Sequence, residues 1–410
     1  MQKQVKIAIL GSGYYQKALI KKAKELGMCP IVFSGNNINS NDLRKVYNIP
    51  IYASDKISDI CETEKIDGIC SIGSEKAVQT IGLVNDRLHL KGISQNVAKL
   101  FTNKLRIKRL FQELQIKTPD FYVGFFSENK ENIAQKCLSL TFPVVFKPID
   151  NSNSTGIIKI NSLEEIEVGI SYVKSYTNRD RFIIEKFIEG ISFGIESITI
   201  NGNTNTITLG NISRGNEIDI PIGHYTPMDS IEQGTLEQAL ENVIKILSKN
   251  KIDNTMTTID CRLSNNGEVF FLEVGARCGG TMIPEIISIH FGVDIYETII
   301  KLAIGQGDTI KLRPTNSAIA ASLIQTETEE EITNIINNNE NNKWLRCSIE
   351  YQVEQNISQQ QQNKKQIGRI ITIGNTKKEA LQRLKEATRR IEIKTQTNTT
   401  QNKIGRSHFS

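Results

Sequence analysis

The sequence predicts a protein of mixed α/β and α+β class that begins with a Rossmann-like domain. Its 410 residues exceed the roughly 100 to 200 residues of an ordinary domain. An apolar strand at residues 5–10 is followed by a glycine turn and by a helical pattern at residues 16–27, which together start a βαβ unit. Short strands separated by Gly and Asn turns dominate residues 141–209, a pattern typical of an α+β region. We therefore expect several domains.

The predicted N-terminal domain spans residues 1–97 and contains a parallel sheet. Further apolar strands at residues 30–34 and 66–73 follow the first βα unit. The turn Gly11-Ser12-Gly13 has two glycines of a dinucleotide-binding fingerprint, but Gln16 stands where the third glycine belongs. No acidic residue closes the next strand. We therefore interpret the turn as a cap on the first strand, and a nicotinamide site is not expected.

The remaining segments alternate between helical and strand patterns. We expect a helix at residues 96–115 that ends before Thr118-Pro119, a long helix at 235–249, a hairpin at 257–274 and a helix from about 284 to 304.

Beyond residue 310 the composition changes. Patches rich in Asn and Gln at residues 334–342 and 355–366 predict surface loops, because polar tracts bury too little surface to order themselves. A strand and turn at residues 372–376 and an amphipathic helix at 377–391 follow. The tail from Lys394 onward is expected to be disordered.

Charge and cysteine content exclude several classes of protein. The net charge is +5, from 50 Lys and Arg against 45 Asp and Glu, which is too small and too dispersed for a nucleic-acid binder. No apolar run approaches the roughly 20 residues of a membrane span, and the N-terminus lacks a signal-peptide pattern, so we expect a soluble cytoplasmic protein. The 7 cysteines are scattered and never spaced as CxxC, which supports neither a disulfide framework nor a zinc site.

The hairpin at residues 257–274 carries the most informative pair of side chains. With Asn265-Asn266 at its turn, Asp260 would face Phe271, and Glu273 would lie diagonal to Asp260 on the same face, within about 7 to 8 Å. Two carboxylates on so hydrophobic a strand pair repel each other and resist desolvation unless a cation lies between them. A hard divalent cation, above all Mg²⁺, offsets that cost. The alternative is an ordinary hairpin whose acids face water.

Other polar residues interrupt apolar or small-residue segments. Lys147 ends the apolar strand at residues 142–146, where an ammonium group needs an anionic partner, and the loop at 148–156 consists of small residues whose N–H groups suit phosphate oxygens. The segment Glu185-Lys186-Phe187-Ile188 leaves one strand for the next and predicts either a hinge or an adenine contact. Taken alone, Lys104 predicts only a solvated surface lysine.

Taken together and in this order, these pieces resemble the ATP-grasp superfamily of carboxylate–amine ligases over residues 1–394. The match rests on Asn103-Lys104 followed by Thr118-Pro119, the strand at 143–148 with its loop, the segment at 185–188, and Asp260 followed by Glu273-Val274-Gly275-Ala276-Arg277-Cys278-Gly279-Gly280. The resemblance implies an N-terminal pre-ATP-grasp α/β domain (1–97), a two-lobed ATP-grasp domain (98–310) with a mobile lid lobe at about 140–205, a small C-terminal α+β subdomain (311–394) and a disordered tail (395–410).

The resemblance also implies a nucleotide and metal site, residue by residue. It assigns the phosphates of ATP to Lys104 and Lys147, the phosphate-covering loop to Ser154 and Gly156, the adenine to Glu185, Lys186 and Ile188, and the ribose to Glu196. It assigns Mg²⁺, for which Mn²⁺ can substitute, to Asp260 and Glu273; Gly275 stands where many relatives carry an Asn, which removes one metal contact. It assigns catalysis to Lys147, to Arg277 at the acyl phosphate, and to the Gly279 and Gly280 amides at the oxyanion.

The activity implied by the resemblance is ATP-dependent ligation of a small carboxylate to an amine through an acyl phosphate. A bicarbonate-dependent carboxylase and a non-catalytic ATP-binding protein of the same fold are the alternatives, and the retained lysines and acids favour catalysis. The expected partners are small molecules rather than nucleic acid or membrane, and a homodimer is implied only at the level of the family. His224 lies in a predicted loop, and we interpret it as structural rather than as a substrate contact.

Overall fold

The computed structural model describes residues 4–36, 45–152, 154–214, 220–326, 330–340, 342–349 and 365–395. Contacts between residues divide the chain into two compact units. The first unit comprises Met1–Ile207, Ser230–Gly280 and Val293–Lys311, and the second comprises Thr208–Asp229, Thr281–Gly292 and Leu312–Ser410. The domain boundaries implied above stay predictions. In the described ranges, no helix is both long enough and apolar enough to cross a membrane.

The first unit begins with a parallel sheet of the predicted Rossmann-like kind. Its strands and helices are β1 (Lys6–Leu10), α1 (Tyr14–Glu25), β2 (Cys29–Ser34), β3 (Lys45–Asn48), α2 (Ser54–Glu64), β4 (Gly68–Cys70) and α3 (Glu75–Leu88). The strand order is β3-β2-β1-β4, and every pairing is parallel. Gln16 is buried and donates hydrogen bonds to the Ile72 carbonyl and the Ser71 hydroxyl. It thereby ties α1 to the loop after β4, which explains a large polar residue at the position of a fingerprint glycine.

Two helices replace the single one predicted at residues 96–115. They are α4 (Gln95–Phe101) and α5 (Lys104–Glu113). The break occurs because the side chain of Asn103 caps α5, accepting a hydrogen bond from the Arg106 backbone N–H at 3.1 Å. The single-helix prediction was wrong, and the break places Lys104 in the first turn of the new helix.

An antiparallel sheet of four strands follows, again within the first unit. Its elements are β5 (Phe121–Phe125), α6 (Lys130–Leu140), β6 (Val144–Pro148), β7 (Ile158–Ile160), α7 (Ile166–Lys174) and β8 (Arg181–Lys186). The strand order is β5-β8-β6-β7. A core that includes Phe146 and Phe182, both fully buried with ring centroids 5.2 Å apart, joins this sheet to α6 and α7. Lys147 and Glu185 lie on its two central strands.

The next elements include the predicted hairpin. They are β9 (Gly190–Ile200), β10 (Asn203–Arg214), β11 (Ile220–Thr226), α8 (Gln233–Lys249), β12 (Thr255–Ser264) and β13 (Val269–Gly275). Within the first unit the strand order is β13-β12-β9, and β12 pairs with β9 along its whole length. Strand β10 is divided between the two units after Ile207.

A second predicted helix, at about residues 284–304, is also two helices. They are α9 (Ile283–Phe291) and α10 (Ile295–Ala303). Gly292 ends α9 with a left-handed φ of +62°, and the Asp294 side chain caps α10 by accepting from the Tyr296 and Glu297 backbone N–H groups. The prediction of one continuous helix was wrong, because Gly292 ends the first helix and Asp294 starts the second despite the continuous apolar pattern.

The second unit is an antiparallel sheet with one long helix. Its remaining elements are β14 (Ala318–Thr326), β15 (Ile332–Asn337), β16 (Leu345–Ile349), β17 (Lys365–Gly374), α11 (Lys377–Arg389) and β18 (Ile391–Thr395). The strand order is β10-β11-β14-β17-β16, and β15 pairs with β18. Helix α11 buries Ala380, Leu384 and Ala387 in the core of this unit, as the amphipathic pattern predicted.

Two expectations for the C-terminal region are wrong where the structure describes it. Residues 334–337 belong to β15 rather than to a loop, because Ile332, Ile335 and Ile336 supply apolar side chains among the asparagines. Lys394 is part of β18 and pairs with Asn334, so the disordered tail does not begin there. Most of the predicted glutamine-rich loop (355–364) and the rest of the tail (396–410) lie outside the described residues.

Candidate active site

Asp260 and Glu273 face each other directly across the β12–β13 hairpin. A bulge makes Leu272 an extra residue of β13, so Cys261 pairs with Phe271 and Asp260 pairs with Glu273. The diagonal arrangement predicted from the sequence was wrong. The Phe271 N–H donates to the Lys117 carbonyl and the Phe271 carbonyl accepts from Thr118, and these bonds outside the hairpin accompany the bulge.

The environment of Asp260 suits a cation. Solvent reaches its side chain, but surrounding protein desolvates the carboxylate, and with the charge of Glu273 this raises the pKa of Asp260 to about 6, while Arg277 and Lys104 oppose the shift. Among the described residues there is no group of three or more His, Cys, Asp and Glu side chains placed to hold a metal ion. A two-carboxylate pair fits Mg²⁺ nonetheless, because Mg²⁺ keeps several waters and takes phosphate oxygens as ligands.

Lys104 links this acid pair to the predicted phosphate loop. Its side chain is buried, and its ammonium lies 2.6 Å from Glu273 Oε1 and donates to the Asn151 carbonyl at 2.5 Å. The Lys104 backbone N–H also donates to the Ile149 carbonyl. The surface lysine expected from Lys104 taken alone is therefore wrong, and its ammonium lies beside a candidate metal ligand.

The loop after β6 has a backbone that favours glycine. Ser154 and Gly156 have φ values of +56° and +78°. A Cβ atom on Gly156 would lie 2.7 Å from the Cβ of Tyr176, so no larger residue fits without movement. The Asn151 side chain donates to the Tyr176 carbonyl at 2.6 Å, which fixes the start of the loop.

Lys147 and Glu185 form a buried ion pair with a partner that the sequence analysis missed. The Lys147 ammonium lies 2.7 Å from Glu185 Oε1, and the Lys108 ammonium lies 2.6 Å from Glu185 Oε2. Burial opposes ionisation of Glu185, but the charges of Lys108 and then Lys147 outweigh it and lower the pKa of Glu185. A usable signal existed, because Lys104 and Lys108 lie four residues apart on the buried face of α5.

The predicted adenine segment is held through its backbone. Lys186 is exposed at the end of β8, and its N–H donates to the Asp120 carbonyl at 2.9 Å. The Ile188 carbonyl accepts from the Arg262 guanidinium at 2.8 Å, and that guanidinium also lies 4.9 Å from the centre of the Phe187 ring. The assignment of these residues to the adenine stays a prediction.

Glu196 is buried against the glycine-rich segment that follows β13. It accepts hydrogen bonds from the Thr258 hydroxyl and from the Gly279 N–H, the latter at 3.2 Å. Desolvation raises the pKa of Glu196 to about 7, although both hydrogen bonds oppose the shift. In this arrangement the Gly279 N–H already has an acceptor, and the roles predicted for Glu196 at the ribose and for Gly279 at an oxyanion remain untested.

Arg277 pairs with Glu75, a second residue that the sequence analysis missed. Arg277 Nε donates to Glu75 Oε2 at 2.9 Å, and Arg277 Nη1 donates to the Cys278 carbonyl. Glu75 Oε1 is buried and has no hydrogen-bond partner among the described residues. Burial raises the pKa of Glu75, and the charge of Glu273 adds to the shift, whereas Arg277 and Lys104 oppose it. Glu75 begins α3 just after β4, the end of a parallel strand where sites are common.

The surroundings of Gly275 leave little room for a side chain such as Asn. A Cβ atom on Gly275 would lie 3.0 Å from the Thr258 methyl group and 3.6 Å from Glu75 Oε2. Close by, Gly280 approaches Gly73, and a Cβ atom on Gly73 would lie 3.5 Å from the Gly280 Cα. The Thr258 methyl group is therefore the nearest obstacle to a side chain at position 275, and Glu75 lies at ordinary contact distance.

His224 belongs to the second unit and lies in β11, not in the predicted loop. Its side chain is buried, with Nδ1 at 2.9 Å from Asn211 Oδ1, and burial lowers its pKa to about 4. Neutral and buried, it fits the structural interpretation.

Comparisons with known proteins find one family model and many relatives. The model of the ATP-grasp domain matches residues 140–285. The carbamoyl phosphate synthase large chain of Thermoanaerobacter pseudethanolicus is 23% identical over 326 residues, covering 73% of this chain but 29% of its own. This chain thus spans less than a third of that relative. The formate-dependent phosphoribosylglycinamide formyltransferase of Saccharolobus solfataricus is 21% identical over 416 residues, covering 95% of this chain and 97% of its own.

The fold agrees with these matches. The crystal structure of an L-amino acid ligase from Bacillus licheniformis superposes with a TM-score of 0.78 at 17% identity, covering 97% of this chain and 100% of that chain. The mixed α/β and α+β fold predicted from the sequence is confirmed. Residues 140–285 thus match an ATP-grasp domain, and the resemblance to the ATP-grasp superfamily found in the sequence is confirmed.

Proposed function

We propose that this chain is an ATP-dependent carboxylate–amine ligase that releases ADP and phosphate. The observation that carries the proposal is the facing pair Asp260 and Glu273. Lys104 lies beside Glu273, and the Arg277–Glu75 pair is close enough for its charges to act on Asp260. The first unit of the chain contains all the groups that this reaction needs. They are two carboxylates that can bind a divalent cation, lysines that can bind phosphates, and the Glu75 Oε1 atom, which has no hydrogen-bond partner among the described residues. This combination supports phosphoryl transfer followed by attack of an amine.

On the nucleotide side, Asp260 and Glu273 would hold Mg²⁺, and Lys104 and Lys147 would contact the phosphates. When bound, Mg²⁺ neutralises phosphate charge and orients the transferred group. A carboxylate oxygen of the substrate attacks the γ-phosphorus, the bond to the ADP oxygen breaks, and an acyl phosphate and ADP form. Arg277, whose guanidinium lies within the same cluster, would steady the acyl phosphate.

In the second step an amine nitrogen attacks the acyl carbon and phosphate leaves with one oxygen of the original carboxylate. The amine must lose a proton to complete the amide. Glu75 Oε1 is the group suited to receive it, because it is buried, has no hydrogen-bond partner among the described residues, and belongs to a carboxylate whose pKa is raised. Arg277 orients Glu75 by donating to its other oxygen.

The test is release of ADP and phosphate from ATP and Mg²⁺ over a panel of small carboxylates and amines, singly and in pairs. Formate belongs in the panel because a relative that matches over nearly its whole length is named formate-dependent. Bicarbonate belongs there because a carboxylase is the rival activity. Release that requires one carboxylate and one amine supports the ligase. Release with bicarbonate alone, or ATP binding without turnover, contradicts it.

A further inference from the structure

Lys108 is a fully buried lysine that the proposed chemistry does not use. It lies on α5 one turn after Lys104, and its side chain has no exposed surface. Lysine is rarely buried to this extent unless its charge has a specific task. Burial lowers its pKa to about 8, even though the charge of Glu185 opposes the shift. Such a residue costs stability, so its partners should explain its presence.

The partners of Lys108 connect it to a phosphate-binding candidate. Its ammonium lies 2.6 Å from Glu185 Oε2, and Glu185 Oε1 accepts from Lys147 at 2.7 Å. Glu185 therefore lies between two ammonium groups. All three side chains are at least nine-tenths buried, so water screens their charges little.

A hydroxyl group completes the surroundings of Lys108. The ammonium donates to Thr118 Oγ1 at 2.6 Å, and the Thr118 hydroxyl donates in turn to the Phe271 carbonyl at 2.7 Å. The hydroxyl proton is thus used on the carbonyl, which leaves the oxygen as an acceptor for Lys108. These bonds connect α5 to the bulge that aligns Asp260 with Glu273.

The charge count of this cluster distinguishes Lys108 from an ordinary structural lysine. Lys147 and Glu185 alone would sum to zero, and Lys147 would present little net charge to a phosphate. With Lys108 the cluster carries one net positive charge. In a buried site with weak screening, that difference acts on a phosphate several ångströms away.

We propose that Lys108 is a positioning residue that neutralises and holds Glu185, so that Lys147 keeps an uncompensated positive charge for the nucleotide phosphates. The inference rests on the proposed function, because it takes Lys147 to be a phosphate contact. It assigns Lys108 no contact with substrate. Its effect passes through Glu185, and it therefore predicts a particular interaction between substitutions at these two positions.

The experiment compares the wild-type chain with K108M, E185Q and the double variant K108M/E185Q, by calorimetric titration with ATP and Mg²⁺ and by ATP kinetics. Loss of one charge near the phosphates should raise the Kd and KM for ATP roughly tenfold in K108M. E185Q is the background for the double variant, and removing Lys108 in that background should change the Kd for ATP less than about threefold, because no charge at position 185 remains for Lys108 to offset. The double variant should bind ATP better than K108M. In K108M the negative charge of Glu185 offsets the charge of Lys147, whereas in the double variant that negative charge is absent.

A purely structural Lys108 gives the opposite pattern. The double variant would then bind ATP no better than K108M, and removing Lys108 would cost as much affinity in the E185Q background as in wild type; either result overturns the inference. The matched control is K136M, which removes another partly buried lysine that pairs with Glu128 and donates to the Val123 carbonyl. It should lower stability without changing the Kd for ATP. If K108M does not fold, the double variant is compared with E185Q, and a loss of ATP affinity of about tenfold between these two overturns the inference.

The outcome separates this inference from the proposed function. If the wild-type chain does not bind ATP, the proposed function fails. If the wild-type chain binds ATP and K108M binds it equally well, only the inference about Lys108 fails.

Discussion

Glu75 Oε2 accepts a hydrogen bond from Arg277 Nε at 2.9 Å, joining the start of α3 to the segment that follows β13. The two residues are 202 positions apart in the chain, and both belong to the first unit. Helix α3, which follows the last strand of the N-terminal sheet, therefore contributes a side chain to the candidate active site. The buried Oε1 of Glu75 has no hydrogen-bond partner among the described residues, and it is the atom that we propose accepts a proton from the incoming amine.

The first prediction concerns Glu75→Gln. We expect kcat/KM for the amine to fall about 100-fold with the KM for ATP nearly unchanged, because the amide still accepts from Arg277 but is a poor proton acceptor. Steady-state kinetics with each substrate varied in turn measure both constants. Glu128→Gln, which alters an ion-paired glutamate outside the site, is the control. A loss confined to ATP binding would argue against the role given to Glu75.

A second prediction concerns Glu273→Gln, which removes a charge from the facing acid pair. ADP formation should fall roughly a thousandfold, because metal binding supplies several kcal/mol to phosphoryl transfer. The protein should remain folded, since the buried residues Val274 and Phe271 are unchanged. Mn²⁺ binding followed by electron paramagnetic resonance checks the metal independently of activity. Full Mn²⁺ binding in the variant would remove Glu273 from the metal site.

Lys147→Ala should change the kinetics of ATP in a specific way. A phosphate contact acts in both the ground state and the transition state, so the KM for ATP should rise and kcat should fall, each roughly tenfold. Kinetics at varied ATP concentration test this, with Lys136→Ala as the control. An unchanged ATP dependence would show that Lys147 does not meet the nucleotide.

The loop residue Gly156 allows a stability test with a matched partner. Gly156 and Gly202 share a φ of +78°, but a Cβ atom would meet Tyr176 at position 156 and nothing within 4 Å at position 202. Gly202→Ala should cost about 1 kcal/mol from backbone strain, and Gly156→Ala should cost at least about 1 kcal/mol more. Chemical denaturation measures both. Equal costs would mean that Tyr176 does not restrict the loop.

Glu196 gives a pH prediction. Its folded-state pKa of about 7 lies above the ordinary value of 4.5, so the folded state holds a proton that the unfolded state has lost between these pH values. This contribution to stability is present in acid and is lost as the pH rises through about 7. Between pH 4 and 8 the free energy of unfolding should therefore fall by about 3 kcal/mol more in wild type than in Glu196→Gln, as measured by chemical denaturation. Parallel curves would contradict the raised pKa.

Much of the fold follows from local signals, whereas the site depends on distant contacts. The parallel N-terminal sheet and helix α11 were predictable because apolar periodicity sets them locally. The apolar pattern alone predicted continuous helices at residues 96–115 and 284–304, and caps at Asn103 and Asp294 divide both. The helix start at Asn103-Lys104 that the resemblance implies is confirmed.

Within the site, residue types were predictable but partners were not. The acids of the hairpin stand out in the sequence, yet their register depends on bonds from Lys117 and Thr118, more than 150 positions away from Phe271. Glu75 can be assigned to the site only because it pairs with Arg277, and Lys108 only because it pairs with Glu185. Tertiary folding brings each of these pairs together. One sequence without its fold does not indicate such pairs.

The proposed acyl phosphate is tested most sharply by following ¹⁸O from a labelled carboxylate that supports ADP release. The labelled carboxylate attacks the γ-phosphorus, and the amine later displaces phosphate from the acyl carbon. One carboxylate oxygen is therefore carried into the released phosphate. Mass spectrometry should find one ¹⁸O per phosphate formed, and Glu273→Gln should abolish the labelled phosphate. Unlabelled phosphate accompanying product would contradict an acyl phosphate and with it the proposed ligase.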